Sequence, residues 1–299
     1  MTCEARACPL CERLGVKISV VTPCFNSQST LRETIESVLA QKDPDFEHVV
    51  MDGGSTDGTL AILQAYPHLR WLSEKDEGHY DAMNRGIARA TGDLVVILNA
   101  DDCFREGALS AVRAGFAGHP DWDGCFGDFL YVDGEGREIF RRAEALYDFK
   151  VLLYGLDYIC HHTMFIRRAV YDRLGGYRHR EFRNAADFEF KLRLGRAGCR
   201  IGHVPQFLVN YRIHAQGQAA DWRIIRNSAR EAGVIRREYG NPGGLLGRIL
   251  QVCYKAKRQF QKLRYRGRCD LVPGTWHLRK HRQARTQFSS NVGLDNLES

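Results

Sequence analysis

The sequence Gly92-Asp-Leu-Val-Val-Ile-Leu-Asn-Ala-Asp-Asp102 places an unbroken apolar run directly before two adjacent carboxylates. An apolar run of this length, rich in β-branched residues, predicts a buried strand over Asp93 to Leu98. Carboxylates at the end of such a strand repel each other unless a cation or a hydrogen-bond donor lies between them. A hard divalent ion with oxygen ligands would meet this need, although an aspartate here could equally cap the helix that follows.

Three more predicted strands precede this one, and helical patterns separate them. The strands cover Lys17 to Thr22, Phe46 to Met51 and Leu69 to Ser73, and the helices run from Ser29 or Thr30 to about Gln41, from Thr59 to Ala65 and from Tyr80 to Ala90. Strands that alternate with helices in this way predict βαβ units, and therefore a parallel sheet covered by helices on both faces. Ligands bind at the carboxyl ends of the strands in such sheets, so the loops after the strands are the place to look for function.

Acidic residues occupy three of the four loops that follow these strands. Asp52 opens the glycine-rich loop Asp52-Gly-Gly-Ser-Thr-Asp57-Gly after the second strand, and Asp76 follows the third. Glycines let a backbone approach a ligand closely, and an aspartate at a strand end can accept a hydrogen bond from a ring or ribose donor. An ordinary tight turn that caps the next helix is the alternative for this loop. The glycine pattern of dinucleotide-binding sites is absent after the first strand.

The second half of the chain adds one candidate base and several histidines. Asp187 lies at the start of a helix predicted over Ala185 to Leu194, where its carboxylate could take a proton from a hydroxyl or simply interact with the helix dipole. Glu189 would point elsewhere on the same helix, so the two do not form a close pair. His214 follows a strand predicted over Ile201 to Tyr211, and a lone histidine there is often structural. His161 and His162 lie at the start of a predicted strand that ends at Arg167, and each could belong to the site or be structural. Arg85 could contact a phosphate or lie on a solvated helix face.

The positive charge is concentrated at one end of the chain. The 299 residues carry a formal net charge of +7, and the segment from Gly240 onward is strongly basic while the rest is slightly acidic. A helix is predicted over Trp222 to Tyr239, and Asn241-Pro-Gly-Gly breaks the chain after it. We therefore expect an extension over residues 1–15, a main domain over 16–239 and a basic, partly helical tail over 240–299. The stretch Gly244 to Tyr265 could be an amphipathic helix on an anionic membrane or a helix packed on the main domain. Nucleic acid is not expected as a partner because no recognisable reading module is present.

Cysteine usage and hydropathy suggest a reducing compartment. The chain has ten cysteines, too few for its length to indicate a disulfide scaffold, and neither a signal-peptide pattern nor an apolar run of 18 residues. Cys8 and Cys11 form a C-x-x-C pair without the second pair that a zinc site needs. We expect a cytoplasmic protein with free thiols, bound peripherally to the inner face of a membrane if the basic helix contacts lipid.

Taken together and in order, these motifs resemble family 2 glycosyltransferases of the GT-A fold over roughly the first 215 residues. The matching segments are Ile18-Ser-Val-Val-Thr-Pro-Cys-Phe-Asn26, Val49-Val-Met-Asp-Gly-Gly-Ser-Thr-Asp-Gly-Thr59, Asp76-Glu-Gly-His-Tyr-Asp-Ala-Met-Asn84, Gly92 to Asp102, Ala186-Asp187 and Tyr211-Arg-Ile-His214. The resemblance implies an α/β protein with a Rossmann-like, mostly parallel sheet flanked by helices and followed by the basic helical extension.

The resemblance also implies an activity and a set of site residues. It implies an inverting transfer from a nucleotide-sugar donor to a glycan or lipid-linked acceptor, with a divalent metal, Mg²⁺ or Mn²⁺, and with polysaccharide, lipopolysaccharide or glycolipid synthesis as the setting. Asp187 would be the general base, and Asp102 and His214 would contact the metal. The donor would be bound by Pro23, Phe25, Asn26, Asp52, Gly53, Asp76, Arg85 and Asp101. A non-catalytic module that binds nucleotide sugars or glycans on the same fold is the alternative.

Overall fold

The computed structural model describes residues 15–43, 45–213 and 222–266. The strands in these ranges are β1 Ile18–Cys24, β2 Phe46–Asp52, β3 Arg70–Ser73, β4 Leu94–Ile97, β5 Cys103–Phe104, β6 Gly124–Val132, β7 Glu138–Arg142, β8 Phe165–Arg167 and β9 Ile201–Arg212. The α-helices are α1 Leu31–Leu39, α2 Thr59–Gln64, α3 His79–Arg89, α4 Ala108–Gly118, α5 Arg168–Leu174, α6 Ala186–Arg196, α7 Trp222–Glu238 and α8 Gly244–Arg266. A π-helical turn, Val151–Gly155, and a 3₁₀ turn, His161–Thr163, precede β8.

The strands form one sheet whose two halves differ in direction. The order is β3-β2-β1-β4-β8-β6-β9-β5, with β7 beside β6. The first four strands are parallel to one another, as the alternation of strands and helices predicts. In the second half, β8 runs antiparallel to both β4 and β6, whereas β6 and β9 are parallel. The carboxyl ends of β1, β2 and β4 therefore lie along one edge of the sheet.

Apolar side chains cover both faces of this sheet. Every residue of β4 is buried, so the apolar run in the sequence indicates a central strand correctly. One face packs against α3 and α6, and the opposite face packs against α4. Helix α3 crosses β1 so closely that a Cβ at Gly86 would overlap Val21. A glycine is needed at this crossing because the close approach leaves no space for a side chain.

The strand predicted from His161 to Arg167 is wrong in its first half. Residues His161–Thr163 form a 3₁₀ turn, and only Phe165–Arg167 pairs with the sheet. The turn is closed by backbone bonds from Thr163 to Cys160 and from Met164 to His161. The turn keeps the two adjacent histidine rings close together while each lies beside a different carboxylate, whereas an extended strand would point the two side chains to opposite faces of the sheet.

The last described helix, α8, packs on the main domain. It lies against the π-helical turn Val151–Gly155, where Tyr254 rests over Tyr154 with ring centroids 5.1 Å apart. Within the described ranges, none of the helices is both long enough and apolar enough to cross a bilayer.

Candidate active site

Asp52 ends β2 with its carboxylate enclosed by protein donors. The Oδ2 atom accepts hydrogen bonds from the Ser73 hydroxyl at 2.6 Å and from the backbone N–H groups of Ser55 and Gly54 at 2.9 and 3.1 Å. Burial alone would raise the pKa of Asp52, but these bonds and that from the Ser55 hydroxyl lower it. Asp52 is only 2% exposed, so it shapes the glycine-rich loop and presents little of its own carboxylate to a ligand.

The loop after β1 interlocks with the loop after β2. The Asn26 side chain accepts a hydrogen bond from the Thr56 backbone at 2.9 Å, and the Asn26 N–H donates to the Ser55 hydroxyl at 2.7 Å. Asn26 has a φ of 49°, in the left-handed region that asparagine tolerates better than most residues. This geometry leaves the Phe25 ring 61% exposed beside the loops, where it is open to a flat ligand.

Asp76 lies directly over the glycine-rich loop. A Cβ at Gly53 would approach the Asp76 carboxylate oxygen to 2.6 Å, so the carboxylate fills the space above that glycine. The Asp76 carboxylate also accepts a hydrogen bond from the Gly78 N–H at 2.9 Å. Arg85 holds this loop from α3, with its guanidinium 2.8 Å from Asp81 and 3.2 Å from the Lys75 carbonyl. Asp76, Gly53 and Arg85 therefore belong to one local structure.

Asp102 forms a buried pair with His162. Its Oδ2 atom lies 2.6 Å from His162 Nδ1, and its Oδ1 atom accepts the Arg212 N–H at 2.8 Å. Both side chains are 2% exposed or less. Burial would lower the pKa of His162, but the Asp102 carboxylate raises it well above its usual value, so the pair retains a proton. His162 also stacks on Tyr211, with ring centroids 5.3 Å apart.

Asp187 is in the first turn of α6 and has three side-chain partners. Its Oδ1 atom accepts a hydrogen bond from the Tyr80 hydroxyl at 2.6 Å, and its Oδ2 atom lies 2.9 Å from Lys191 Nζ and 3.5 Å from His161 Nδ1. Burial would raise the pKa of Asp187, but Lys191, His161 and Tyr80 together bring it well below its usual value. Lys191 is shared with Asp157 at 2.7 Å. The Asp187 side chain keeps 16% of its surface exposed, so a ligand can reach it.

Glu189 belongs to a separate network, as its place on the helix predicts. It is fully buried and is bound by Arg193 at 2.9 Å and by the Tyr239 hydroxyl at 2.7 Å. It therefore anchors α6 to the end of α7 and takes no part in the environment of Asp187.

Two contacts join these groups along the edge of the sheet. The adjacent rings of His161 and His162 have centroids 3.8 Å apart, so Asp187 and Asp102 are linked through neighbouring residues. The start of α3 makes the second contact, because Tyr80 donates a hydrogen bond to Asp187 at 2.6 Å and the N–H of Gly78, just before the helix, donates to Asp76 at 2.9 Å. The structure thus brings the loop over Gly53 and the environment of Asp187 together around the start of α3.

The donor set for a metal at this edge is small. Within residues 15–43, 45–213 and 222–266, no three His, Cys, Asp or Glu side chains come together as a set that could hold a metal ion. Asp102 is enclosed, whereas its neighbour Asp101 is partly exposed. Asn99 buries a side-chain oxygen that has no hydrogen-bond partner among the described residues. Carboxylate and amide oxygens are ligands of the type that Mg²⁺ accepts, and this ion takes only one or two protein carboxylates and leaves its other positions to water and phosphate. His214, the other predicted metal contact, lies outside the described residues.

Sequence reasoning missed several residues of this site. Lys191 and Asp157 lie in no recognisable motif, and Tyr80 lies within the matching segment Asp76 to Asn84, which assigns it no role. Tyr80 and Lys191 contact Asp187, and Asp157 contacts Lys191. The sequence gives a partial signal for Lys191, because residues four apart on a helix meet on one face.

Two surface cavities of about 240 and 270 Å³ lie elsewhere, beside α5 and at the start of α8, and neither includes the acidic residues of the candidate site. The candidate site is therefore defined by its side-chain chemistry.

Comparisons with known proteins identify the family of this chain. A family model for glycosyl transferase family 2 matches residues 19–175, and the chain belongs to that family. It is 36% identical over 181 residues to a PGL/p-HBAD biosynthesis glycosyltransferase of Mycobacterium bovis, covering 58% of this chain and 68% of the relative. It is 31% identical over 251 residues to an uncharacterized glycosyltransferase of Mycobacterium tuberculosis, covering 81% of this chain and 91% of the relative.

A solved structure supports the fold. The mannosyltransferase PcManGT from Pyrobaculum calidifontis, in complex with GDP-Man and Mn²⁺, has a TM-score of 0.55 and 19% identity, covering 93% of this chain and 76% of that chain. At this identity the likeness shows the fold alone. The predicted α/β sheet of GT-A type, flanked by helices, is confirmed.

Proposed function

We propose that the protein is an inverting, metal-dependent glycosyltransferase that moves a sugar from a nucleoside diphosphate to a hydroxyl of a glycan or lipid-linked acceptor. The observation that carries the proposal is the link from Asp187 through His161 and His162 to Asp102. A group able to accept a proton is thereby linked to Asp102, and the partly exposed neighbour of Asp102, Asp101, is able to face a diphosphate at the same edge of the sheet. A single displacement needs these two functions and no covalent nucleophile.

Asp187 is the proposed general base. The acceptor oxygen attacks the anomeric carbon, the bond from that carbon to the diphosphate oxygen breaks, and the hydroxyl proton passes to the Asp187 carboxylate. The low pKa of Asp187 keeps it ionised before the reaction. The hydroxyl becomes a much stronger acid as its oxygen bonds to carbon, so a weakly basic carboxylate can still accept the proton late in the step. Tyr80 and Lys191 hold the carboxylate in place.

Asp101 and Asp102 are the proposed metal-side carboxylates. Asp101 is partly exposed and would meet the ion, while Asp102 is fixed behind it by His162 and the Arg212 backbone. When bound, the ion would offset the negative charge that develops on the leaving diphosphate. PcManGT, described with GDP-Man and Mn²⁺, supports this choice of donor and metal. His214 stays a proposed metal contact.

The donor nucleotide is proposed to lie over the interlocked loops after β1 and β2. The exposed ring of Phe25 offers a stacking surface for a base, and the Asp76 carboxylate above Gly53 offers an acceptor for its N–H groups. Asn26 and Asp52 shape this pocket through the loop hydrogen bonds, and Pro23 lies beside it near the end of β1, opposite Met51. Arg85 contributes indirectly, because its guanidinium donates a hydrogen bond to the Lys75 carbonyl and so positions the loop that carries Asp76.

The names of two relatives support the proposed acceptor and location. A relative named for PGL/p-HBAD biosynthesis and another named an O-antigen biosynthesis protein support glycolipid or lipopolysaccharide synthesis. We place the protein at the cytoplasmic face of a membrane, bound there peripherally, since a lipid-linked acceptor is presented at that surface.

The stereochemistry of the product tests this function. Donor sugars linked to UDP and GDP are incubated with Mn²⁺ and an acceptor extract, and the anomeric configuration of the product is read by proton NMR. Inversion relative to the donor is expected from single displacement. Retention would rule out the proposed mechanism, and donor binding without any product would favour the binding-module alternative.

Lys191 and Asp157 should shift the pH profile in opposite directions. Lys191→Met removes the cation that depresses the pKa of Asp187, so the pKa rises and the acid limb of kcat/KM moves to higher pH. Asp157→Asn removes a carboxylate beside Lys191, so the pKa of Asp187 falls and the acid limb moves to lower pH. Thermal unfolding of each variant separates a loss of fold from a shift of the profile. Shifts in the same direction, or an unchanged limb in both variants, would contradict the role of Asp187.

A further inference from the structure

The inner face of α8 uses its basic residues to hold the helix on the domain. Arg258 and Lys262 are 4% and 2% exposed. Arg258 is bound by both carboxylate oxygens of Glu144, and Lys257 lies 2.7 Å from Asp148. Much of the positive charge on this side is therefore neutralised within the protein, and it is not available to an outside partner.

The opposite face of α8 exposes a row of large apolar side chains, with the small residue Ala256 between Val252 and Phe260. Each of them is between 48% and 76% exposed. We call this row the outer face of α8, and it consists of Leu245, Leu246, Ile249, Val252, Phe260 and Leu263. Their spacing places them along one side of the helix, facing away from Arg258 and Lys262. An apolar row of this length left in water is unusual for a protein surface and indicates a binding surface.

Exposed cations flank the outer face on both sides. Arg248 and Lys255 lie along one margin of the row, and Arg264 lies along the other. The helix Gly244–Arg266 contains neither aspartate nor glutamate. A second copy of this helix would bring like charges together at the margins, which disfavours self-association. An apolar row between cationic margins instead matches a bilayer surface with anionic headgroups.

We infer that the outer face of α8 inserts into the headgroup region of an anionic bilayer, with α8 parallel to the membrane plane. Its apolar side chains enter the boundary between headgroups and acyl chains, while Arg248, Lys255 and Arg264 contact lipid phosphates. The inner face stays bound to Glu144, Asp148 and the rest of the domain, so the enzyme is held on the surface as a rigid body. This inference rests on the proposed function only for the membrane-borne acceptor that it would serve.

Co-sedimentation with vesicles tests the inference on the full chain. Vesicles of phosphatidylcholine mixed with phosphatidylglycerol should bind the protein, and vesicles of phosphatidylcholine alone should bind it much more weakly. Ile249→Asp combined with Val252→Asp and Phe260→Ser should reduce binding by about a hundred-fold, because three apolar side chains that would insert into the bilayer are lost. Arg248→Gln with Lys255→Gln and Arg264→Gln should remove the preference for anionic lipid. Ile139→Ser combined with Val234→Ser, which changes exposed apolar residues elsewhere, is the matched control and should bind as the native protein does.

The outcomes separate this inference from the transferase assignment. Asp187→Asn should bind vesicles as well as the native protein does, since Asp187 is not on α8. Native binding by the Ile249, Val252 and Phe260 variant would overturn the inference, and so would a native dimer that this variant converts to a monomer. If the Ile249, Val252 and Phe260 variant loses vesicle binding but the native protein shows no transferase activity, the inference about the outer face of α8 stands and only the proposed function is removed.

Discussion

Asp187→Asn is expected to lower kcat by about 10²- to 10⁴-fold while donor affinity stays near its native value. The amide keeps the size of the side chain and its contact with Tyr80, but it can no longer accept the acceptor proton. Steady-state kinetics give kcat, and calorimetry with a nucleoside diphosphate gives donor affinity.

The control for this prediction is a carboxylate of the same type away from the site. Asp121→Asn removes an exposed carboxylate that pairs with Arg200 and should leave both measurements unchanged. A fully active Asp187→Asn protein would show that another group takes the proton. A variant that loses donor binding to the same extent as kcat would instead make Asp187 part of the donor site.

We expect Asp101→Asn to weaken metal-dependent nucleotide binding and Asp102→Asn to lower the stability of the fold. Asp101 is partly exposed, so its variant should fold normally and lose about 10- to 100-fold in Mn²⁺-dependent affinity for a nucleoside diphosphate. Asp102 is enclosed with His162, so its variant removes the carboxylate that stabilises the protonated imidazole in a buried environment, and it should lose about 3 kcal/mol of stability. Calorimetry with and without Mn²⁺, together with chemical denaturation, distinguishes the two effects.

The reverse pattern would change the assignment of the two residues. A stable Asp102→Asn protein that alone loses metal-dependent binding would return the metal contact to Asp102. Equal and purely structural effects of both substitutions would remove the metal from this edge of the sheet.

The sequence predicts the first half of the fold well because its strands are local, apolar and separated by clear helices. Strand β4 lies on its apolar run, and the acidic loops after β2 and β3 begin where those strands end. The 3₁₀ turn at His161 could not be predicted, because its shape depends on carboxylates that are remote in the chain. Short runs of β-branched and aromatic residues look alike in a turn and in a strand.

The candidate site shows the same limit. Asp102 was expected to face a ligand, yet its exposure is decided by His162 and by the backbone of Arg212, which lies 110 residues further along the chain. Lys191 lies between Asp157 and Asp187, and only the packing of α6 against the segment before the 3₁₀ turn reveals that position. Motifs therefore located the acidic residues, while tertiary contacts determine which of them can meet a substrate.

The position of a bound ion tests the central claim most directly. Crystals of the protein with Mn²⁺ and a nucleoside diphosphate allow the ion to be located by its anomalous scattering. We predict an ion at the carboxyl end of β4, bound by Asp101 or Asp102 and by the diphosphate, with the base over Phe25 and Gly53. A nucleotide and ion bound anywhere else on the molecule, with this edge of the sheet left empty, would contradict the account.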